Sequence, residues 1–203
     1  MSIKLPDPPQ FGDPLPPEHR PEVLAFLATR RSTGALLLRA PGPPPEDVEA
    51  LLRVAIRVPD HGKLFPWRFV VLGPQSRGEI AEKLSGLAQT QGRPAKEQAV
   101  LAKLTAAPVT ILVISAPVPD AKPLWEQQLS AGAVCMNLEH AAGAFGYASS
   151  WITDWYSYDA QATALFGLTD GEAVAGFIHI GTLNEPALER PRPDMAAKVT
   201  RLP

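Results

Sequence analysis

Arg57-Val58-Pro59-Asp60-His61-Gly62-Lys63-Leu64-Phe65-Pro66-Trp67 lies between a stretch of helical periodicity and a stretch that reads as a strand, and it belongs to neither. Pro59 ends the helix, because a proline pushes the residue before it out of the α region and withholds a backbone donor. Pro66-Trp67 opens Arg68-Phe69-Val70-Val71-Leu72, whose aromatic and β-branched residues suit a strand. Between the two prolines stand Asp60, His61 and Lys63, with Gly62 free to turn left-handed. A short polar loop after a helix is where a scaffold tends to hold a ligand. A solvated connection with no task is the alternative.

Upstream, Pro43-Pro44-Pro45 precede a helix with Glu46 and Asp47 in its acidic first turn. Val48, Leu51, Leu52 and Ala55 recur there at i, i+3, i+4, i+7, so one face packs on a core. Earlier still, Pro21 and Glu22 suit a first helical turn, with Leu24, Leu27 and Ala28 at helical spacing. That helix ends at Arg30-Arg31-Ser32-Thr33-Gly34. Two arginines at a helix C-terminus interact favourably with the macrodipole. Beside a serine and ahead of a glycine, the same pair has the makings of a phosphate clamp, since guanidinium binds phosphate oxygens bidentately.

Downstream, Ser76 and Glu79 have capping-box spacing ahead of Ile80, Leu84 and Leu87. Residues 89–97 read as a polar loop, and a second helical piece carries Val100, Leu101 and Leu104. Val109 to Ser115 is too short and too β-branched for a helix and reads as a buried strand. The longest helix is expected over Trp125–Gly146. Its stretch Ser130 to Met136 is small or apolar nearly all round, which predicts burial on every side. A monomer core would provide that, and so would the centre of a dimer interface. Glu139, His140 and His179 read as structural. Residues 146–153 and 174–180 read as strands, joined by a short helix over 159–166 with Gly167 as its C-cap. The order predicts an α+β fold, a sheet sandwiched by helices.

The 203 residues allow one domain with a real core. A net charge of −2 gives no electrostatic reason to expect nucleic acid or an anionic membrane as a partner. Cys135 is the single cysteine, which excludes a disulfide framework and fits a reducing cytoplasm. No stretch has the length of a membrane span or a signal-peptide core. Proline accounts for 23 of the 203 residues, about twice the usual share. The prolines gather at the two ends, marking an N-terminal arm (1–20), a globular domain (21–183) and an extended C-terminal arm (184–203). No glycine-rich dinucleotide fingerprint, Walker loop or nucleophile elbow occurs, and the four histidines lack metal-ligand spacing.

From about residue 22 to 183 the chain resembles the flavin-dependent nitroreductases, above all the short single-domain bacterial NAD(P)H nitroreductases. Five features in order carry the resemblance: Arg30-Arg31-Ser32; Arg57-Val58-Pro59-Asp60-His61 with Pro66-Trp67; Trp125-Glu126-Gln127 with Ser130-Ala131-Gly132; Gly146 with Trp151; and Gly176 to Thr182.

The resemblance implies a nitroreductase-like α+β fold with a mixed or antiparallel central sheet. It also implies an intertwined homodimer with FMN at the subunit interface. Arg30, Arg31 and Ser32 match the segment that holds the phosphate and ribityl chain. Arg57 and His61 match FMN contacts, and Trp151, Ile152 and Thr153 match the strand passing along the flavin. Ala141, Ala142, Gly143, Ala144, Phe145 and Gly146 match a segment assigned to the nicotinamide nucleotide. Lys198 or Arg201 would bring a basic C-terminal residue to the phosphate. The flavin would carry the chemistry, so no side chain need be a nucleophile. NADH or NADPH would give hydride to it, and a nitroaromatic, quinone or similar small electrophile would take it in a ping-pong cycle. Relatives carry Trp-Arg-Ser where this chain has Trp151-Ile152-Thr153, so a guanidinium is missing here. A protein that binds, stores or senses flavin with little reductase activity is the competing reading.

Overall fold

The computed structural model describes residues 5–202; the first four residues of the N-terminal arm and Pro203 lie outside the described residues. Four strands, β1 (Trp67–Leu72), β2 (Val109–Ser115), β3 (Ala148–Ile152) and β4 (Ala173–Gly181), form one sheet in the order β1-β2-β4-β3. Every pairing in it is antiparallel. The helices are α1 (Pro21–Thr29), α2 (Pro45–Ala55), α3 (Pro74–Thr90), α4 (Ala95–Ala99), α5 (Ala102–Ala106), α6 (Leu124–Ala144) and α7 (Ala160–Ala164).

The sheet is covered on both faces, which is why β2 is apolar without alternation. Ile111 and Val113 meet Val48, Leu51, Val134 and Leu138 of α2 and α6. Leu112 and Ile114 meet Leu84, Leu104, Tyr156, Phe166 and Phe177 on the other side. Each fully buried Leu or Ile contributes about 1.5–3 kcal/mol. Buried Arg77 ties the second layer together, donating to the carbonyls of Leu104, Ala107 and Pro108.

Three local expectations are corrected. Ser76 is no N-cap: α3 begins at Pro74 with Gly73 as the cap, and Glu79 accepts instead from the Gln75 side chain at 2.9 Å. Proline at the first position fixes a helical φ and removes one of the unpaired donors of the helix start, so the helix begins there, two residues ahead of Ser76. Residues 89–97 are not all loop, because α3 runs to Thr90 and α4 begins at Ala95. Nor is α6 enclosed on every side: Leu129 is 53% exposed, Gly132, Ala133 and Met136 are only partly buried, and a Cβ on Gly132 would meet nothing within 4 Å.

Helix α1 buries none of its residues. It touches α6 through Phe26, edge-on to His140 with centroids 6.2 Å apart. Gly143 makes room there, since a Cβ would come within 3.0 Å of the Phe26 ring. Val23, Leu24 and Leu27 stay exposed, an apolar stripe that this chain does not cover.

His179 of β4 is fully buried and stands opposite Thr110 of β2. Its Nδ1 is 2.8 Å from the Thr110 hydroxyl, and its Nε2 has no hydrogen-bond partner among the described residues. Burial, helped by the charges of Arg77 and Lys103, holds the imidazole down at about 4 from its ordinary 6.5. The native state therefore refuses a proton that the unfolded chain accepts. Stability is complete above pH 6.5 and falls as the pH drops towards 4, by about 3 kcal/mol in all. We expect His179→Gln to remove this loss. Denaturant midpoints of the two proteins should converge between pH 7 and pH 4.5; a constant gap would mean that His179 does not titrate there.

Candidate functional site

The loop after α2 is a tight turn. Gly62, Lys63 and Phe65 have φ of 95°, 58° and 49°. Left-handed backbone at two non-glycine residues costs about 1–2 kcal/mol each, so something must hold it. Asp60 does so by accepting the Phe65 N–H at 2.7 Å. Helix α6 fixes the rest. The Ser130 hydroxyl accepts from the Trp67 indole at 3.2 Å and donates to the Pro59 carbonyl at 2.8 Å. Asn137 donates to the Val54 carbonyl at 2.7 Å, adding a side-chain bond to an end of α2 that the Arg57 N–H also caps at 3.1 Å. His61 Nδ1 lies 2.6 Å from a Glu126 carboxylate oxygen. His61, Glu126, Leu129 and Ala133 line a cleft of about 530 Å³.

A second group of candidates gathers around Glu139. This carboxylate is buried yet takes Arg30 at 3.5 Å, the Ser149 hydroxyl at 3.2 Å and the backbone N–H of Trp151. Burial pushes its pKa up, and these three partners pull against that. The Thr33 N–H bonds the Ser149 carbonyl at 2.9 Å, so the segment after α1 lies beside β3. Arg31 donates to the carbonyls of Leu188 and Ser32 at 3.0 and 2.9 Å, and its charge helps hold the nearby exposed Glu189 carboxyl below its ordinary pKa. Arg31, Ser32, Thr33 and Gly34 line a cavity of about 410 Å³.

Trp151 is set by a defect in the sheet. The β2–β4 register shifts between Val113 and Ile114. Opposite that shift the Ala175 carbonyl accepts the Trp151 indole N–H at 3.1 Å. The indole crosses Gly176, where a Cβ would fall 2.1 Å from its nitrogen. Ile152 is partly buried against the second layer, and the Thr153 hydroxyl accepts from Tyr158 at 2.7 Å. Arg201 is exposed and makes no side-chain bond among the described residues. In the 141–146 segment, Ala141 and Ala142 are core residues, Phe145 packs against the core, and Ala144 and Gly146 are exposed where α6 ends.

The two groups flank α6 on opposite sides. Ser130 and Asn137, which hold the Arg57–His61 segment, lie nine and two residues before Glu139. At 3.6 residues per turn those offsets place them about 180° and 160° around the axis from it. The body of the helix therefore stands between Arg30 and Trp151 on one side and Arg57 and His61 on the other. Leu129, Gly132, Ala133 and Met136 form the open stripe between them. Glu139 and Gly176 were legible only as a charge inside an apolar helix and a glycine inside a strand. Neither signal points to a role without the partners seen here.

Comparison with known proteins follows this geometry. The family model described as "Nitroreductase family" matches residues 27–182. A Haemophilus influenzae protein named "Putative NAD(P)H nitroreductase" is 34% identical over 170 residues, spanning 82% of this chain and 91% of that protein. Among solved structures, a nitroreductase-like family protein from Bacillus cereus superposes with a TM-score of 0.79 at 19% identity, covering 93% of this chain and 99% of the other. A nitroreductase with bound FMN from Bacteroides fragilis gives 0.68 at 22% identity, covering 89% and 98%.

Two substitutions test this construction. Glu139→Ala strands the Ser149 hydroxyl and the Trp151 N–H and is expected to cost about 1–3 kcal/mol. Glu139→Gln keeps an acceptor and should recover most of that; urea denaturation giving equal stability for all three proteins would refute the assignment. Gly176→Ala should displace the indole from the Ala175 carbonyl and cost about 1–3 kcal/mol, a loss that Trp151→Ala would relieve in the double mutant.

Proposed function

The chain belongs to the nitroreductase family, and on that footing we propose that it is an FMN-dependent oxidoreductase working as a homodimer. It would pass hydride from NADH or NADPH to a nitroaromatic, quinone or similar small electrophile. The observation that carries the reading is the division of the candidate residues across α6. No planar cofactor lying on one side of a helix about 10 Å wide touches both groups in the same chain. A second copy packed along the Leu129, Gly132, Ala133 and Met136 stripe would set its own Arg57 and His61 beside the first chain's Arg31 and Trp151. The small residues there permit close approach of two backbones. The uncovered apolar stripe of α1 supports the same assembly.

The donor set fits FMN. Arg30 is already paired with Glu139, whereas Arg31 donates to carbonyls and has the solvent-exposed Glu189 carboxylate near it, a screened neighbour that a phosphate would displace. Ser32 adds a hydroxyl to the same cavity. The Trp151 indole, pinned across Gly176, offers a rigid apolar edge to a ring system. Lys63 or backbone N–H groups of the turn would face the pyrimidine edge, where donors favour the reduced ring. FMN, when bound, supplies the two-electron chemistry. The nicotinamide and the acceptor would need the same open face, so one must leave before the other enters. The segment 141–146 would serve the nicotinamide only through its exposed end, Ala144 and Gly146. Residues 21–183 would form the catalytic unit, with a cytoplasmic location.

A visible spectrum of the purified protein should show oxidised flavin that bleaches on anaerobic addition of NADH or NADPH. Flavin that stays oxidised would favour the storage or sensing reading, and no uptake of added FMN would end both. The shared site predicts complementation. Arg31→Ala and Arg57→Ala homodimers should each lose flavin, while a mixed dimer of the two regains one intact site and about half the flavin. No recovery in the mixed dimer would overturn the interface assignment.

A further inference from the structure

The N-terminal arm lies outside the family match, which begins at residue 27, and it is not idle in the fold. It doubles back across the end of α2. Leu5, Pro6, Pro8, Pro9 and Leu15 form one wall of a pocket of about 270 Å³, and Arg53, Val54 and Arg57 form the other. The arm passes beside the turn after α2, where Lys63 Nζ sits 5.7 Å from the centre of the exposed Phe11 ring.

The chemistry of the lining is specific. Arg53 lies in the last turn of α2 and Arg57 just beyond its end, and both line this pocket, so their like charges repel. Neither makes a side-chain hydrogen bond or an ion pair within 4 Å among the described residues. Asp7 also lines the pocket but pairs with neither. The remaining walls are proline, leucine and valine. Two guanidiniums outweigh the one carboxylate, Asp7, in a slot walled mainly by proline, leucine and valine, which fits a flat apolar molecule that ends in an anion. A carboxylate placed between them would relieve their repulsion and receive charge-assisted hydrogen bonds.

We infer that this pocket is an acceptor subsite, and that the arm makes the enzyme select aromatic acceptors bearing a carboxylate. The inference rests on the oxidoreductase reading, because it places the acceptor's tail at Arg53 while Arg57 lies between that tail and the flavin. It requires nothing of the arm beyond the wall it already forms. Rigid prolines suit such a wall, since they lose little freedom when a ligand is seated.

The test compares 4-nitrobenzoate with 4-nitrobenzamide, its neutral isostere, on the full-length protein. Calorimetry without nicotinamide should show at least about tenfold tighter binding of the carboxylate, and steady-state kcat/KM should favour it by a similar factor. Arg53→Ala should erase the preference in both measurements with flavin content unchanged, and Leu15→Asp should weaken both ligands. Equal binding of the two ligands by the wild type, or a preference that survives Arg53→Ala, would overturn the inference. If the carboxylate binds selectively but the flavin never bleaches, the subsite stands and the reductase reading falls.

Discussion

Helix α6 has to satisfy polar partners on two sides while its middle is made of small and apolar residues, and the rest of the molecule is arranged around that demand. Glu126, Ser130 and Asn137 hold the turn after α2. Glu139 holds Arg30, Ser149 and the Trp151 backbone. Remove the helix and the two groups of candidate residues lose the partners that hold them in place. Fixed in this way, they face apart. If the proposed site is one site, a second copy laid against this helix would complete it.

The charge arrangement follows from burial. A carboxylate at the position of Glu139 would ordinarily neutralise itself, and burial does push it that way. Arg30, a hydroxyl and a backbone N–H oppose the push, so the carboxylate and Arg30 account for one another. The neighbouring Arg31 is bonded to carbonyls, with the exposed Glu189 carboxylate near it. Two adjacent arginines thus meet different surroundings: one is paired with a buried carboxylate, the other sits at the surface beside a cavity. His179 shows the opposite solution on the far side of the sheet, a titratable group kept neutral with one nitrogen lacking a hydrogen-bond partner among the described residues.

Much of this was legible in the sequence because local signals and tertiary needs agree. β2 spans Val109–Ser115, as its unbroken β-branched run demands, and α1 and α2 begin where proline permits. The pairing of Ser76 with Glu79 misled because the helix starts two residues earlier, at Pro74, whose fixed φ suits the first helical position. The interior of α6 misled in part: small residues signal close packing, but not whether the neighbour is in the same chain. Composition likewise could not show that Arg30 would meet Glu139, which lies 109 residues away. Nor could it show that Gly176 exists to let an indole pass, since a glycine in a strand looks the same whether it bends the chain or admits a neighbour.

The uncovered surfaces make a single economical design if assembly and cofactor binding are one event. α1 leaves Val23, Leu24 and Leu27 in water, and α6 leaves Leu129 there. Exposed apolar stripes of this kind destabilise an isolated chain relative to an assembled one. In that scheme, burying them would stabilise the pair and, by the same contact, would bring Arg57 and His61 to Arg31 and Trp151. Bound flavin would then stabilise the dimer in turn, because a ligand that touches both chains binds only the associated state. The strained turn at Lys63 and Phe65 fits that scheme. Its geometry is already set by Asp60 and by α6 within one chain, so docking a second copy need not reorder it, and the entropy of arranging the site is spent during folding rather than at the moment of binding.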